Sequence, residues 1–366
     1  MDELPWAGWL RGWEVTSSFD AVFPAAFGFL GVAIFFAVSG FCIHLSHQRS
    51  RDGSYKVFFL RRFFRIYPPY LLAFLLFAFA FGSTRLDFGL RSHVFSSFVT
   101  STEDLLSHIF LIHNFSKMFF YGSVNASFWS IAVEAQLYII YPLLLWLATH
   151  LGWQRALWTT GLVELGMRSF ESILMTLYPF WSMPRWYSGS PLYYWFSWSI
   201  GAALAEAHLK GETLPFRSFV GFIWPVLLVG FYFFKPLNPF CFTLAALSST
   251  YLMSYLLRHP PDIAFEGLGK YVLQHLRWAG IVSYSAYLIH QPLISKVPDI
   301  VARVFRHHVF HPLVMYGFCL CSWFPIFGLS YLFYRYVESP SIAWGKSIID
   351  RRRKRISTSE NSSAVE

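Results

Sequence analysis

Runs of about 20 apolar residues, the length a bilayer core asks of a helix, recur along this chain with short polar breaks between them. Nine segments fit that pattern: 22–43, 66–82, 128–148, 157–178, 191–208, 218–234, 239–257, 278–295 and 312–334. Proline marks several breaks. Pro68-Pro69 is expected to open the second helix and Pro191 the fifth, and Pro236 and Pro239 bracket a tight turn. The fourth segment is the least apolar, since it holds Glu164, Arg168 and Glu171. Residues 83–127 are too polar to span, and within them 104–115 reads as a short interfacial or re-entrant helix. The pattern predicts an all-α polytopic integral membrane protein of about nine transmembrane helices. It has a short outer segment over 1–20, a membrane domain over 21–345 and a basic tail over 346–366 without fixed structure.

Composition sharpens this reading. Of 366 residues, 55% are hydrophobic and 13% charged, against about 25% charged in soluble domains, and the mean hydropathy is +0.43. The aromatic share, 21%, suits membrane interfaces, where Trp and Tyr rings sit at headgroup level. A soluble α/β enzyme with long apolar strands is thereby disfavoured. With the 44–65 loop placed in the cytoplasm and the helices alternating, inner segments collect 19 of the 29 Lys and Arg and outer segments 9. This bias puts the C-terminus in the cytoplasm, and the chain is expected in the cell's inner (plasma) membrane. The Arg351–Arg355 run is then an inner anchor and not a nucleic-acid site. Residues 1–20 carry Asp2, Glu3, Glu14 and Asp20 and no basic n-region, unlike a secretory signal. Cys42, Cys241, Cys319 and Cys321 lie in apolar stretches and read as small packing groups, with no metal site expected.

Ionisable groups inside apolar helices are costly and therefore candidates for function. Glu134 stands on one face with Ser127 and Ser130, at i, i+3 and i+7. His290 can act as donor, acceptor or base near neutral pH, and it is followed by Gln291 and the kinking Pro292. Ser39-Gly40-Phe41 closes the first apolar helix, where Gly40 permits close approach of a helix or a ligand. Arg62 and Arg65 share a helical face, so their guanidiniums can converge on one phosphate cluster or serve as an inner anchor.

On these residues the chain resembles the acyltransferase 3 family, the membrane O-acetyltransferases of bacterial polysaccharides and related glycans. The matching motifs are Phe35-Phe36-Ala37-Val38-Ser39-Gly40-Phe41, the basic stretch from Arg62 to Pro68, Phe128 to Glu134, Tyr284 to Pro292, and Glu338-Ser339-Pro340. They occur in order across roughly residues 22–345. The family normally has ten helices, and its first carries an arginine followed by a histidine taken as catalytic. Arg11 is followed by Ala21 and Val22 where that histidine would stand, so the chain is expected to lack the family's first helix.

The resemblance implies transfer of an acyl group, acetyl being the family's commonest, from acyl-coenzyme A to a hydroxyl of a carbohydrate or lipid-linked glycan. Glu134 and His290 would then be catalytic. Arg62, Arg65, Ser39 and Gly40 would hold the donor, and Ser127, Ser130 and Gln291 would lie on the acceptor side. No cofactor is expected to be bound; the partners would be the lipid bilayer, the donor and the glycan. A truncated paralogue without activity, or a transporter or flippase of glycan intermediates, would share the same helices.

The orientation is open to test. Single cysteines at positions 55 and 360, in a background without the natural cysteines, are expected to resist a membrane-impermeant thiol reagent in intact cells. They should react once the membrane is opened. Labelling of both in intact cells would overturn the topology.

Overall fold

The structure of the chain is a computed structural model. It describes residues 28–50, 53–80, 94–116, 125, 127–178, 183–212, 218–232, 234–259, 268–305 and 312–363. The expected outer segment 1–20 lies outside the described residues. All regular structure among the described residues is helical; besides short turns such as Arg185–Ser188, Pro191–Tyr194 and Lys235–Leu237, the helices are α1 (Gly28–Gln48), α2 (Tyr55–Ala80), α3 (Val94–Ile109), α4 (Phe128–Leu151), α5 (Trp153–Leu177), α6 (Trp195–Lys210), α7 (Ser218–Tyr232), α8 (Asn238–Arg258), α9 (Leu268–Ile294), α10 (Val297–Val304), α11 (Pro312–Phe333) and α12 (Ser339–Ser363). Each of the nine expected segments overlaps one of these helices. Among the described residues, however, only four stretches are long and apolar enough to cross a membrane: Leu30–Gln48, Phe128–Leu151, Asn238–Arg258 and Gly317–Arg352. Ile223–Tyr232 is apolar but shorter. Helix α2 opens on Lys56, Arg61, Arg62 and Arg65, and α5 carries Glu164, Arg168 and Glu171, so neither reads as a uniformly apolar span.

Several boundaries differ from the sequence reading, for physical reasons. Helix α1 continues to Gln48, so Ser39-Gly40-Phe41 lies inside it and does not close it. Helix α2 starts at Tyr55, which places the arginines on the helix and Pro68-Pro69 in its interior. A proline withholds the N–H due to the carbonyl four residues earlier, and here the Phe64 carbonyl accepts instead from Ser341 Oγ. The polar stretch 104–115 is the end of a longer helix, α3, followed by a 3₁₀ turn at His113–Phe115. The tail expected to lack structure from residue 346 is helical to Ser363. It is rich in Lys and Arg, which are good helix formers, and it buries Gly345 and Ile349.

The chain divides into two compact units. The first comprises residues 1–50, 111–120 and 129–262, and its side-chain ties give the helix directions. Ser39 of α1 meets Glu134 of α4, and five residues on, His44 meets Tyr141. Trp198 of α6 meets Ser39, and Glu206 meets His44. Helices α1, α4 and α6 therefore run parallel. Helix α5 runs against α6 and α8: Glu164 bonds Ser197 and Thr243, while Arg168, one turn later, bonds the carbonyls of Tyr193 and Pro239.

Two glycines set the closest approach. A Cβ on Gly40 would overlap the Trp198 carbonyl oxygen, and one on Gly201 would overlap that of Ala37. Any side chain at either position would push α1 and α6 apart.

Charge inside α5 is neutralised locally. Glu164 Oε1 accepts from Arg168 Nε at 3.1 Å, from Ser197 Oγ at 2.6 Å and from Thr243 Oγ1 at 2.6 Å, while Oε2 accepts from the Ser197 N–H at 2.8 Å. The Arg168 guanidinium also lies over the Tyr193 ring, 4.2 Å from its centroid.

The second unit comprises residues 51–110, 121–128 and 263–366. The end of α3 is satisfied by hydroxyls of α2, with Tyr70 donating to the His108 carbonyl at 3.1 Å and Tyr67 to that of Ile109 at 3.0 Å. Helix α12 lies along the start of α2, with the Phe64 and Trp344 rings 5.0 Å apart. A single π turn, Tyr334–Glu338, carries α11 into α12 past Pro340 without a break in the helix.

The buried pair yields a prediction. Glu164→Leu leaves Arg168 in the interior without its counter-charge and is expected to cost about 3–5 kcal/mol. Thermal unfolding in detergent should show the loss, with partial recovery when Arg168→Leu is added. Equal stability of wild type and Glu164→Leu would show that the pair is dispensable.

Candidate functional site

Helices α1, α4 and α6 bring polar side chains together because the two glycines let their backbones touch. Ser39 Oγ donates to Glu134 Oε1 at 2.7 Å, and the Tyr138 hydroxyl donates to the same oxygen. Trp198 Nε1 donates to Ser39 Oγ at 3.3 Å. All four residues are buried, Glu134 with 4% of its surface exposed. The result is a carboxylate held by two hydroxyl donors in an apolar interior.

The sequence reading put Ser39 at the end of its helix, whereas it lies within α1, opposite Glu134 of α4. The direct bond sets them at one level. Ser130 is fully buried one turn before Glu134. Gly40 belongs to the helix contact: the space beside its Cα is filled by the Trp198 and Ala202 backbone. Gln136, turned away from the stripe, forms a reciprocal amide pair with Asn114, at 3.0 and 2.9 Å. It also holds the carbonyl of Leu111, whose φ is +55°.

A second polar group lies further along the same three helices, and the sequence reading passed over it. His44 Nε2 is 2.8 Å from Glu206 Oε2, and His44 Nδ1 is 2.9 Å from the Tyr141 hydroxyl. Lys210 lies 3.1 Å from Glu206 Oε1. The signal was present, since an ionisable residue within an apolar helix is a candidate by default. His44 lies five residues after the serine already singled out.

The remaining predicted residues belong to the second unit. Ser127 precedes α4 and is not on it. The Asn125 side chain accepts from the Ser127 N–H at 2.8 Å, closing an Asx turn just before α4, and the Ser127 carbonyl accepts from Tyr287 at 3.0 Å. Pro292 leaves the Leu288 carbonyl without its helical donor, and Asn125 Nδ2 supplies one at 2.9 Å. His290 directs Nδ1 at the Tyr287 carbonyl, 2.9 Å away on its own helix, and stacks on Trp323 at 5.8 Å. With Nδ1 donating, Nε2 is the accepting nitrogen. Gln291 follows, half-buried.

Arg62 and Arg65 share the N-terminal half of α2. Arg62 is half-buried with its guanidinium 5.9 Å from the Phe58 ring centre, and Arg65 is exposed. Glu338 of the Glu-Ser-Pro motif accepts from Ser285 Oγ at 2.6 Å. Within their own units, then, Ser39, Glu134, Tyr138 and Trp198 form one cluster, while His290, Ser127 and the two arginines occupy separate places. Among the described residues, no three His, Cys, Asp or Glu side chains converge as a metal site.

Comparison with known proteins gives one family match, described as an acyltransferase domain, over residues 4–335. Among curated proteins, the chain is 27% identical over 349 residues to the protein named Putative peptidoglycan O-acetyltransferase YrhL of Bacillus subtilis, covering 89% of this chain and 52% of that one. It is 24% identical over 336 residues to the peptidoglycan O-acetyltransferase OatA of Listeria monocytogenes, covering 86% and 51%. The chain thus spans about half the length of these relatives. No solved structure matches.

Proposed function

The chain belongs to the acyltransferase domain family, and from that premise we propose that it is a multi-pass membrane enzyme transferring an acyl group from acyl-coenzyme A to a hydroxyl of a glycan. Two relatives named for peptidoglycan O-acetylation favour acetyl as the group and a cell-wall saccharide as the acceptor. The enzyme would lie in the plasma membrane, and the Lys and Arg bias supports a cytoplasmic C-terminus.

The observation that carries this reading is the Glu134 carboxylate, buried yet held by Ser39 and Tyr138. Acyl transfer to a hydroxyl requires a base for the hydroxyl proton and donors for the oxyanion that forms on the thioester carbonyl. As the acceptor oxygen bonds to the carbonyl carbon, its proton passes to the base. The carbon–sulfur bond then breaks, and the thiolate leaves to be protonated. Glu134 serves this step by orienting the acceptor, with Ser130 beside it. His290, its Nδ1 committed to its own helix, offers Nε2 as the base, and Gln291 and Ser127 serve the acceptor side. Arg62 and Arg65 supply paired guanidiniums for the donor's phosphates.

Two outcomes are expected. Glu134→Gln preserves shape and hydrogen bonding, so membrane abundance should be normal while labelled acyl transfer into glycan falls about 100-fold or more. Full activity would make Glu134 a structural tie only. Arg62→Lys combined with Arg65→Lys keeps the charge and loses the planar fork, so the KM for the donor should rise. An unchanged KM would reduce both residues to membrane anchors.

A further inference from the structure

Helices α1, α4 and α6 hold a polar arm whose chemistry the proposed reaction has not used. The Glu206 carboxylate can only accept, so His44 Nε2 carries the hydrogen between them and Nδ1 accepts from the Tyr141 hydroxyl. Tyr141 stands one turn after Tyr138, the hydroxyl that donates to Glu134, and on the same face of α4. The Trp198 ring packs edge-on to Tyr141 at 5.7 Å, while its Nε1 bonds Ser39. The Glu134 cluster and the His44 arm are therefore neighbours.

The arm has a direction. Tyr141 is fully buried and the His44 side chain is 0% exposed, the Glu206 side chain is 17% exposed, and Lys210, at the end of α6, is 52% exposed. The groups around His44 are Tyr141 from α4, Glu206 and Lys210 from α6, the Trp153 ring of α5 at 5.0 Å, and His47 on its own helix, whose ring lies 5.5 Å from Tyr141.

We propose that Tyr141, His44 and Glu206 form a proton relay between the buried Glu134 cluster and the polar end of α6. The proposal rests on the acyl-transfer reading. Each turnover takes one proton from the acceptor hydroxyl and returns one to the leaving thiolate, and a buried site needs a route by which its protons are exchanged. Tyr141 gives its proton to His44 Nδ1 as it takes one from the side of the cluster. His44 gives the Nε2 proton to Glu206, which releases it where Lys210 and solvent stand. One proton enters and one leaves; His44 is left with its hydrogen on Nδ1, and a half-turn of the imidazole ring, which exchanges the two nitrogens, restores the starting state. In this role His44 is a positioning and proton-carrying residue, and it touches no substrate.

The test compares wild type with His44→Gln and Tyr141→Phe in lipid vesicles. Gln can bond both Tyr141 and Glu206 but cannot carry a proton, and Phe keeps the packing but breaks the chain at its inner end. Both variants are expected to retain wild-type abundance and donor KM. Turnover should fall about tenfold or more, within the range of general acid–base effects, with a flattened pH profile and a larger solvent isotope effect. Wild-type turnover and pH profile in both variants would overturn the relay while leaving the acyltransferase reading intact. A wild-type protein without any acyl transfer would overturn both.

Discussion

Water is scarce inside a bundle of apolar helices, so each polar group there must find its partner on another helix. Glu164 shows the rule at its strictest. Four donors, from Arg168, Ser197 and Thr243, surround one carboxylate, and they come from α5, α6 and α8. Arg168 returns bonds to carbonyls near the starts of α6 and α8. Three helices are thereby fixed in relative height by one ion pair. Ser197, which Glu164 holds, is the chain neighbour of Trp198, which reaches Ser39, so this ion pair and the Glu134 cluster meet on adjacent residues of α6. The charges that made α5 the least apolar segment tie it to α6 and α8.

The prolines act by the same logic in reverse. Each removes an N–H and leaves a carbonyl seeking a donor. Pro68 makes the Phe64 carbonyl available to Ser341, and Pro292 makes that of Leu288 available to Asn125. Both ties join segments far apart in sequence, and both lie in motifs through which the chain resembles its family. A local defect in one helix thus becomes the attachment point of another.

The sequence made the helices legible because apolar runs and polar breaks report burial directly, and every expected segment has its helix. Boundaries were less legible. Proline reads as a break, yet α2 and α9 continue through theirs because the freed carbonyls find side-chain donors far along the chain, which no local window contains. Glu134 and Ser39 could each be singled out, but not their contact, since that depends on Gly40 meeting Gly201 across 161 positions. His44 and Glu206 fell below notice because each alone is one polar residue near a helix end. Only the parallel packing of α1 and α6 makes them a pair.

The Asx turn and the amide pair also bear on how the protein can be produced. Asn114-Phe115-Ser116 and Asn125-Ala126-Ser127 both spell the acceptor pattern for N-linked glycosylation. In the folded chain the Asn114 amide nitrogen donates to Gln136 and to the Gly189 carbonyl, and that of Asn125 donates to the Leu288 carbonyl. Both side chains are buried, at 0% and 1% exposed. A sugar on either nitrogen would break the tie and fill space that the helices occupy. In a host that glycosylates secretory proteins, modification at these sites would therefore mark chains caught before folding, and the glycan-free fraction would be the native one.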